Sequence, residues 1–159
     1  MKKIFALLIT LSCLLTMFTA CNMDFAASST SKEKEQEFYD IVSETQDLLD
    51  IYADDIYSCW YDYIYKDKYS SVDSALVAAW LDNSSNIQTI KANNDIIKEK
   101  YKDVRDGSLS TEIKEVMQAY NEYYSFVMEV SGSFNSYSAS KETLKKALST
   151  ALKNLELEL

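Results

Sequence analysis

Apolar residues return every three or four positions along most of this chain, with polar residues between them. That spacing gives a helix one buried face. Four segments carry it, at about residues 32–68, 73–105, 111–131 and 141–158. The first has the stripe Phe38, Ile41/Val42, Thr45, Leu48/Leu49, Tyr52, Ile56, Cys59 and Tyr63. The second reads Leu76, Trp80, Asn83, Ile87, Ile90, Asn94, Ile97, Tyr101, Val104, alternating steps of four and three as in coiled-coil packing. The third lines up Ile113, Val116, Tyr120, Tyr123, Val127 and Val130, and the fourth Leu144, Leu148, Ala151/Leu152 and Leu155.

Local signals mark the ends. Thr30 with Glu33, and Ser70 with Asp73, have capping-box spacing. Gly107 and Gly132 stand where the second and third helices should stop, the place for a left-handed residue. Ser133 to Ser140 reads as a serine-rich loop. Short connections between long helices imply antiparallel neighbours, so the expected fold is all-α: an up-down bundle of about four helices. One stretch, Asp82 to Asn86, is wholly polar and poorly suited to a helix interior, and it could split the second helix to give five.

Composition narrows the function. The 159 residues include 2 glycines, no proline and no histidine. Without histidine there is no Ser-His-Asp or Cys-His arrangement and no imidazole metal ligand. Two glycines cannot build a phosphate loop or a dinucleotide fingerprint. A net charge of −9, with one arginine (Arg105) and no basic stripe, argues against nucleic acid. No catalytic residue, cofactor or metal site is expected, and the chain reads as non-enzymatic.

The first 20 residues differ from the rest. Lys2 and Lys3 precede the apolar run from Ile4 to Leu15, and the small residues Thr19 and Ala20 follow, the layout of a secretory signal. Phe18-Thr19-Ala20-Cys21 then resembles the lipobox of bacterial lipoprotein precursors, with Phe18 where an aliphatic residue is usual. The resemblance implies cleavage between Ala20 and Cys21 and lipidation of Cys21. Two or more acyl chains on Cys21 would anchor the protein stably to the membrane. The expected organisation is a signal peptide over 1–20, a tether with lipidated Cys21 over 21–31, and one bundle domain over 32–159. The expected location is the extracytoplasmic face of the cell membrane.

Three features of the mature chain bear on function. Tyr57, Trp60, Tyr61, Tyr65 and Tyr69, with Tyr63, crowd the end of the first helix and cannot all face one way. In an up-down bundle they meet Trp80, Tyr123, Tyr124, Phe126, Phe134 and Tyr137 at the pole away from the anchor. They are core-boundary residues or a recognition surface, since tyrosine and tryptophan dominate binding hot spots. Asn83 and Asn94 fall on a buried stripe, either fixing register or lining a ligand pocket. Glu37 to Asp62 holds eight carboxylates and no basic residue, the composition of a solvated face or a dock for a basic partner. Cys59 falls on a buried line and reads as a packed thiol. The favoured reading is a lipid-anchored module that binds an unknown protein partner; the alternative is a small-ligand-binding bundle with a polar and aromatic pocket.

Overall fold

The computed structural model describes residues 23–159, with side chains from residue 30 onward. The signal peptide, its cleavage site at Ala20 and the lipidation site Cys21 lie outside the described residues. Contacts divide the chain into two compact units, 1–30 and 31–159. The described residues of the first are helical, and the second is the bundle.

Five helices follow one another: α1 (Met23–Lys66), α2 (Val72–Asp82), α3 (Ser84–Val104), α4 (Ser110–Met128) and α5 (Phe134–Glu156). No strand occurs among the described residues. Side-chain bonds fix their directions. Moving forward along α1, Glu37 pairs with Lys100, Thr45 accepts from Asn93 and Asp55 accepts from Asn83, so α2 and α3 run back down. Glu35 meets Ser108 and Asp50 meets Tyr123, so α4 runs parallel to α1. Gln46 meets Ser149, Asp50 meets Lys145 and Asp54 meets Lys141, so α5 returns. The fold is an up-down antiparallel bundle of four columns, the second column built from α2 and α3.

The split in that column falls within the polar run. Asn83 leaves helical geometry at φ −105°, ψ 15°. Its Nδ2 donates to the Ala79 carbonyl at 3.0 Å and to Asp55 Oδ2 at 2.7 Å, while its Oδ1 accepts from Asn86 at 3.1 Å. A short amide side chain is competing with the backbone for its own hydrogen bonds, which is what ends the helix there.

Serine capping boxes start α2 and α5, while α4 starts after Leu109 without a side-chain cap, and three helix starts shift from expectation. α1 begins at Met23, upstream of the Thr30–Glu33 pair. α2 is capped one residue later than the pattern suggested, by Ser71 with Ser74 in place of Ser70 with Asp73. The serine-rich stretch expected as a loop is instead the first turns of α5, because Ser133 and Ser136 form a reciprocal capping box. Gly132, at φ +86°, takes the left-handed conformation that favours glycine. Gly107 does not; it is needed for space, since a Cβ there would lie 2.9 Å from Glu35 Oε1 and 3.2 Å from the Val104 carbonyl oxygen.

The core runs the length of the bundle. Phe38, Val42, Leu49, Ile90, Ile97, Ile113, Val116, Tyr120, Tyr123, Leu148 and Leu155 are wholly buried. The α4 stripe packs as its spacing predicts, with Ile113, Val116, Tyr120, Tyr123 and Val127 all inside. On α1 the stripe closes on Trp60, while Cys59 and Tyr63 are half-buried. The α2 stripe is turned. Ala75 and Ala79 face the core, and Trp80, expected inside, is 50% exposed. With the alanines turned inward, the adjacent Trp80 is carried outward.

Candidate functional site

The end of α1, the start of α5 and the end of α4 bring an aromatic cluster together. Of the five tyrosine and tryptophan candidates, Trp60 is buried, Tyr57 and Tyr69 are half-buried, and Tyr61 and Tyr65 are exposed. Tyr57, Tyr61 and Tyr65 stand at steps of four, so they rise along one side of α1. Their rings form a ladder: Tyr61 to Tyr65 at 4.6 Å between centroids, Tyr57 to Tyr61 at 6.2 Å. Phe134 of α5 joins it, stacked on Tyr57 at 5.1 Å and edge-on to Tyr65 at 6.3 Å.

Behind the ladder lies a second layer. Trp60 meets Phe134 and Tyr137 at 6.0 and 5.8 Å, and Tyr137 stacks on Phe126 at 4.7 Å. Geometries of this kind add roughly 0.5–1.5 kcal/mol per pair beyond burial. Tyr57 and Phe134 stack on one another, while Tyr65 meets its neighbours only tilted or edge-on and stays 61% exposed. Tyr61 and Tyr65 are the parts of this cluster that reach solvent. Lys66 lies over Tyr61 and Lys141 over Tyr57, at 5.5 and 4.9 Å from the ring centres.

Beneath the aromatics, α1 and α5 are joined by a polar seam. Gln46 donates to Ser149 Oγ at 2.6 Å. Asp50 takes the Tyr123 hydroxyl at 2.6 Å and the Lys145 ammonium at 2.9 Å. Asp54 holds Lys141, which is also 3.3 Å from Glu142. Positions 46, 50 and 54 on one helix meet 149, 145 and 141 on the other, so the seam sets the α1–α5 register one turn at a time. Burial, reinforced by the Asp50 carboxylate, pushes the Tyr123 hydroxyl pKa far above its ordinary value. Burial does the same for Tyr120 and Tyr137. The Asp50 hydrogen bond raises the Lys145 ammonium. At Lys141 burial opposes the charge, but the Asp54 bond and the Asp54 and Glu142 charges together carry it upward.

The acidic run on α1 is therefore not one uniform face. Asp50, Asp54, Asp55 and Asp62 turn toward partners, and Asp62 holds Lys66 and Lys68 at 2.7 and 3.3 Å. Asn83 and Asn94 are both buried and engaged by protein. Asn83 bonds Asp55, Ala79 and Asn86 as described, and Asn94 Oδ1 accepts from the Tyr120 hydroxyl at 3.3 Å. Asn93, absent from the expected stripe, donates to Thr45 at 3.1 Å, and Thr45 itself donates to the Ile41 carbonyl.

Cys59 lies half-buried with its Sγ 3.4 Å from the Tyr69 hydroxyl. Tyr69, with Lys68 over its ring at 5.3 Å, folds back on the end of α1 rather than joining the ladder. At the opposite end Glu35 is 1% exposed. Ser108 donates to its Oε1 at 3.4 Å, and its Oε2 has no partner among the described residues. Glu35 gave no signal in the pattern: it stands three residues before Phe38, in line with the stripe, but is charged. Phe134 was legible only as an aromatic near the pole; its place in the ladder depends on α5 starting seven residues earlier than the 141 expected. Among the described residues no group of three or more Cys, Asp and Glu could hold a metal, and no helix is long and apolar enough to cross a membrane. Comparison with known families, with curated proteins and with solved structures finds no match to this chain.

Proposed function

We propose that the chain is a lipid-anchored extracytoplasmic lipoprotein whose helical bundle is a non-enzymatic protein-interaction module. The observation that carries the reading is the exposed aromatic edge of Tyr61 and Tyr65, backed by Tyr57, Phe134, Trp60 and Tyr137. Tyrosine rings already locked in a ladder lose little side-chain freedom on binding, which favours recognition. The leader, with its lipobox-like Phe18-Thr19-Ala20-Cys21, supports attachment through Cys21. The net charge of −9 disfavours nucleic acid as the partner.

Crosslinking and pull-down from intact cells tests both parts. Wild type should bring down a discrete partner from the membrane fraction. Tyr61→Ser/Tyr65→Ser should lose that partner while staying folded and membrane-bound. Cys21→Ser should leave the membrane fraction and accumulate at a size that retains the leader. An aromatic variant that still captures the partner defeats the recognition surface; a Cys21→Ser protein that stays membrane-bound at wild-type size defeats the anchor.

A further inference from the structure

The wholly buried positions of α2 are small, and three of its large apolar residues face out. Ala75 and Ala79 are wholly buried, whereas Val77, Trp80 and Leu81 are 54%, 50% and 56% exposed. Their spacing of three and four places them on one outward side. Three large apolar side chains about half exposed on an 11-residue helix forgo part of the roughly 1.5–3 kcal/mol that full burial of each is worth. The fold gains nothing from this exposure. Nor is the face loosely held: the Ser71–Ser74 capping box fixes its start, and Asn83 bound to Asp55 fixes its end.

Charge and area select an occupant. Asp73 and Asp82 flank the apolar residues, both exposed, and no lysine or arginine occurs between Lys68 and Lys91. Three side chains of this size expose a few hundred Å², the scale of the largest apolar patches on monomers. A stable pairing with a second copy needs about 800 Å² per partner and would bring like charges together. Anionic lipid would be repelled by the same carboxylates. A helical segment with an apolar stripe and flanking lysines or arginines fits both the size and the sign.

We propose that Val77, Trp80 and Leu81 on the outer face of α2 form a docking site for a basic amphipathic helix of a partner protein. The inference does not rest on the aromatic edge, which lies on α1 and α5. The test uses the full chain in phosphatidylcholine nanodiscs and a synthetic helical peptide of leucines and lysines. Trp80 reports contact by a blue shift, because Trp60 is already buried. Binding should be saturable, and Val77→Ser/Leu81→Ser should weaken it at least tenfold while the chain stays folded at the assay temperature. Tyr61→Ser/Tyr65→Ser should leave it unchanged, which separates this site from the aromatic one. Equal binding by the Val77/Leu81 variant, or by a peptide of the same composition with its apolar stripe scrambled, overturns the proposal. So does quenching of Trp80 by brominated lipid without peptide, which would assign the face to the membrane. A dimer of the detergent-solubilised chain that Val77→Ser/Leu81→Ser dissolves would assign it to a second copy and overturn the proposal equally.

Discussion

Helices α4 and α2 are both apolar enough to be core helices, yet they use that property in opposite ways. In α4 the stripe Ile113, Val116, Tyr120, Tyr123 and Val127 is wholly buried. In α2 the buried positions are alanines, and Val77, Trp80 and Leu81 face water. Hydropathy alone ranks the α2 residues as core. What decides their placement is which side of the short, capped helix turns inward: Ala75 and Ala79 are wholly buried, with Val72 and Leu76 packed at the edge of the core beside them. Bulk in α4 builds the fold, while bulk in α2 is left for something else.

Substitutions should break this comparison in a graded way. The largest effect belongs to the long core. Ile113→Ala or Leu148→Ala removes a wholly buried side chain and should cost about 2–5 kcal/mol in chemical denaturation. Ala79→Leu should come next, since it forces bulk into a wholly buried core position, at about 1–3 kcal/mol. Gly107→Ala should cost a similar amount, because its methyl would press on the buried Glu35 carboxylate at 2.9 Å. Tyr123→Phe takes a hydrogen bond from Asp50 but leaves Lys145 there, so about 1 kcal/mol is expected.

Alkali should act on the same core. The folded state keeps Tyr120, Tyr123 and Tyr137 protonated beyond the ordinary tyrosine range, while the unfolded chain ionises near pH 10. Their contribution is complete below about pH 10 and is lost as pH rises above it. Lys145, raised by Asp50, works in the same direction: its contribution is full below the ordinary lysine value near 10.5 and is lost above it. Denaturation midpoints should therefore hold steady from neutral pH to about pH 9 and fall beyond pH 10. In absorbance at 295 nm these three tyrosines should titrate only as the bundle unfolds.

How much of this was legible in the sequence follows from the same contrast. The α-class, the up-down topology and the α4 and α5 stripes came from periodicity, because large residues in those helices do go inside. The break at Asn83 was visible as a polar run. The orientation of α2 was not, since spacing cannot say whether Ala79 or Trp80 wins the inner position when they are adjacent. The early start of α5 was hidden because Ser136 plays the reciprocal capping part usually taken by glutamate or glutamine. At the aromatic end, crowding was readable from composition, but the ladder through Phe134 needed the α1–α5 register that Asp50, Asp54, Lys141 and Lys145 set across the seam.

The separation between a face that builds the bundle and a face that only borders it can be measured at one residue. Thermal unfolding of Trp80→Ser beside Ile90→Ala decides it, since one side chain is half exposed and the other wholly buried on the same column. The structure predicts a loss of about 1 kcal/mol for the half-covered Trp80→Ser and a loss of about 2–5 kcal/mol for Ile90→Ala. A Trp80→Ser protein destabilised as much as Ile90→Ala would place the indole in the core and contradict the outward face of α2.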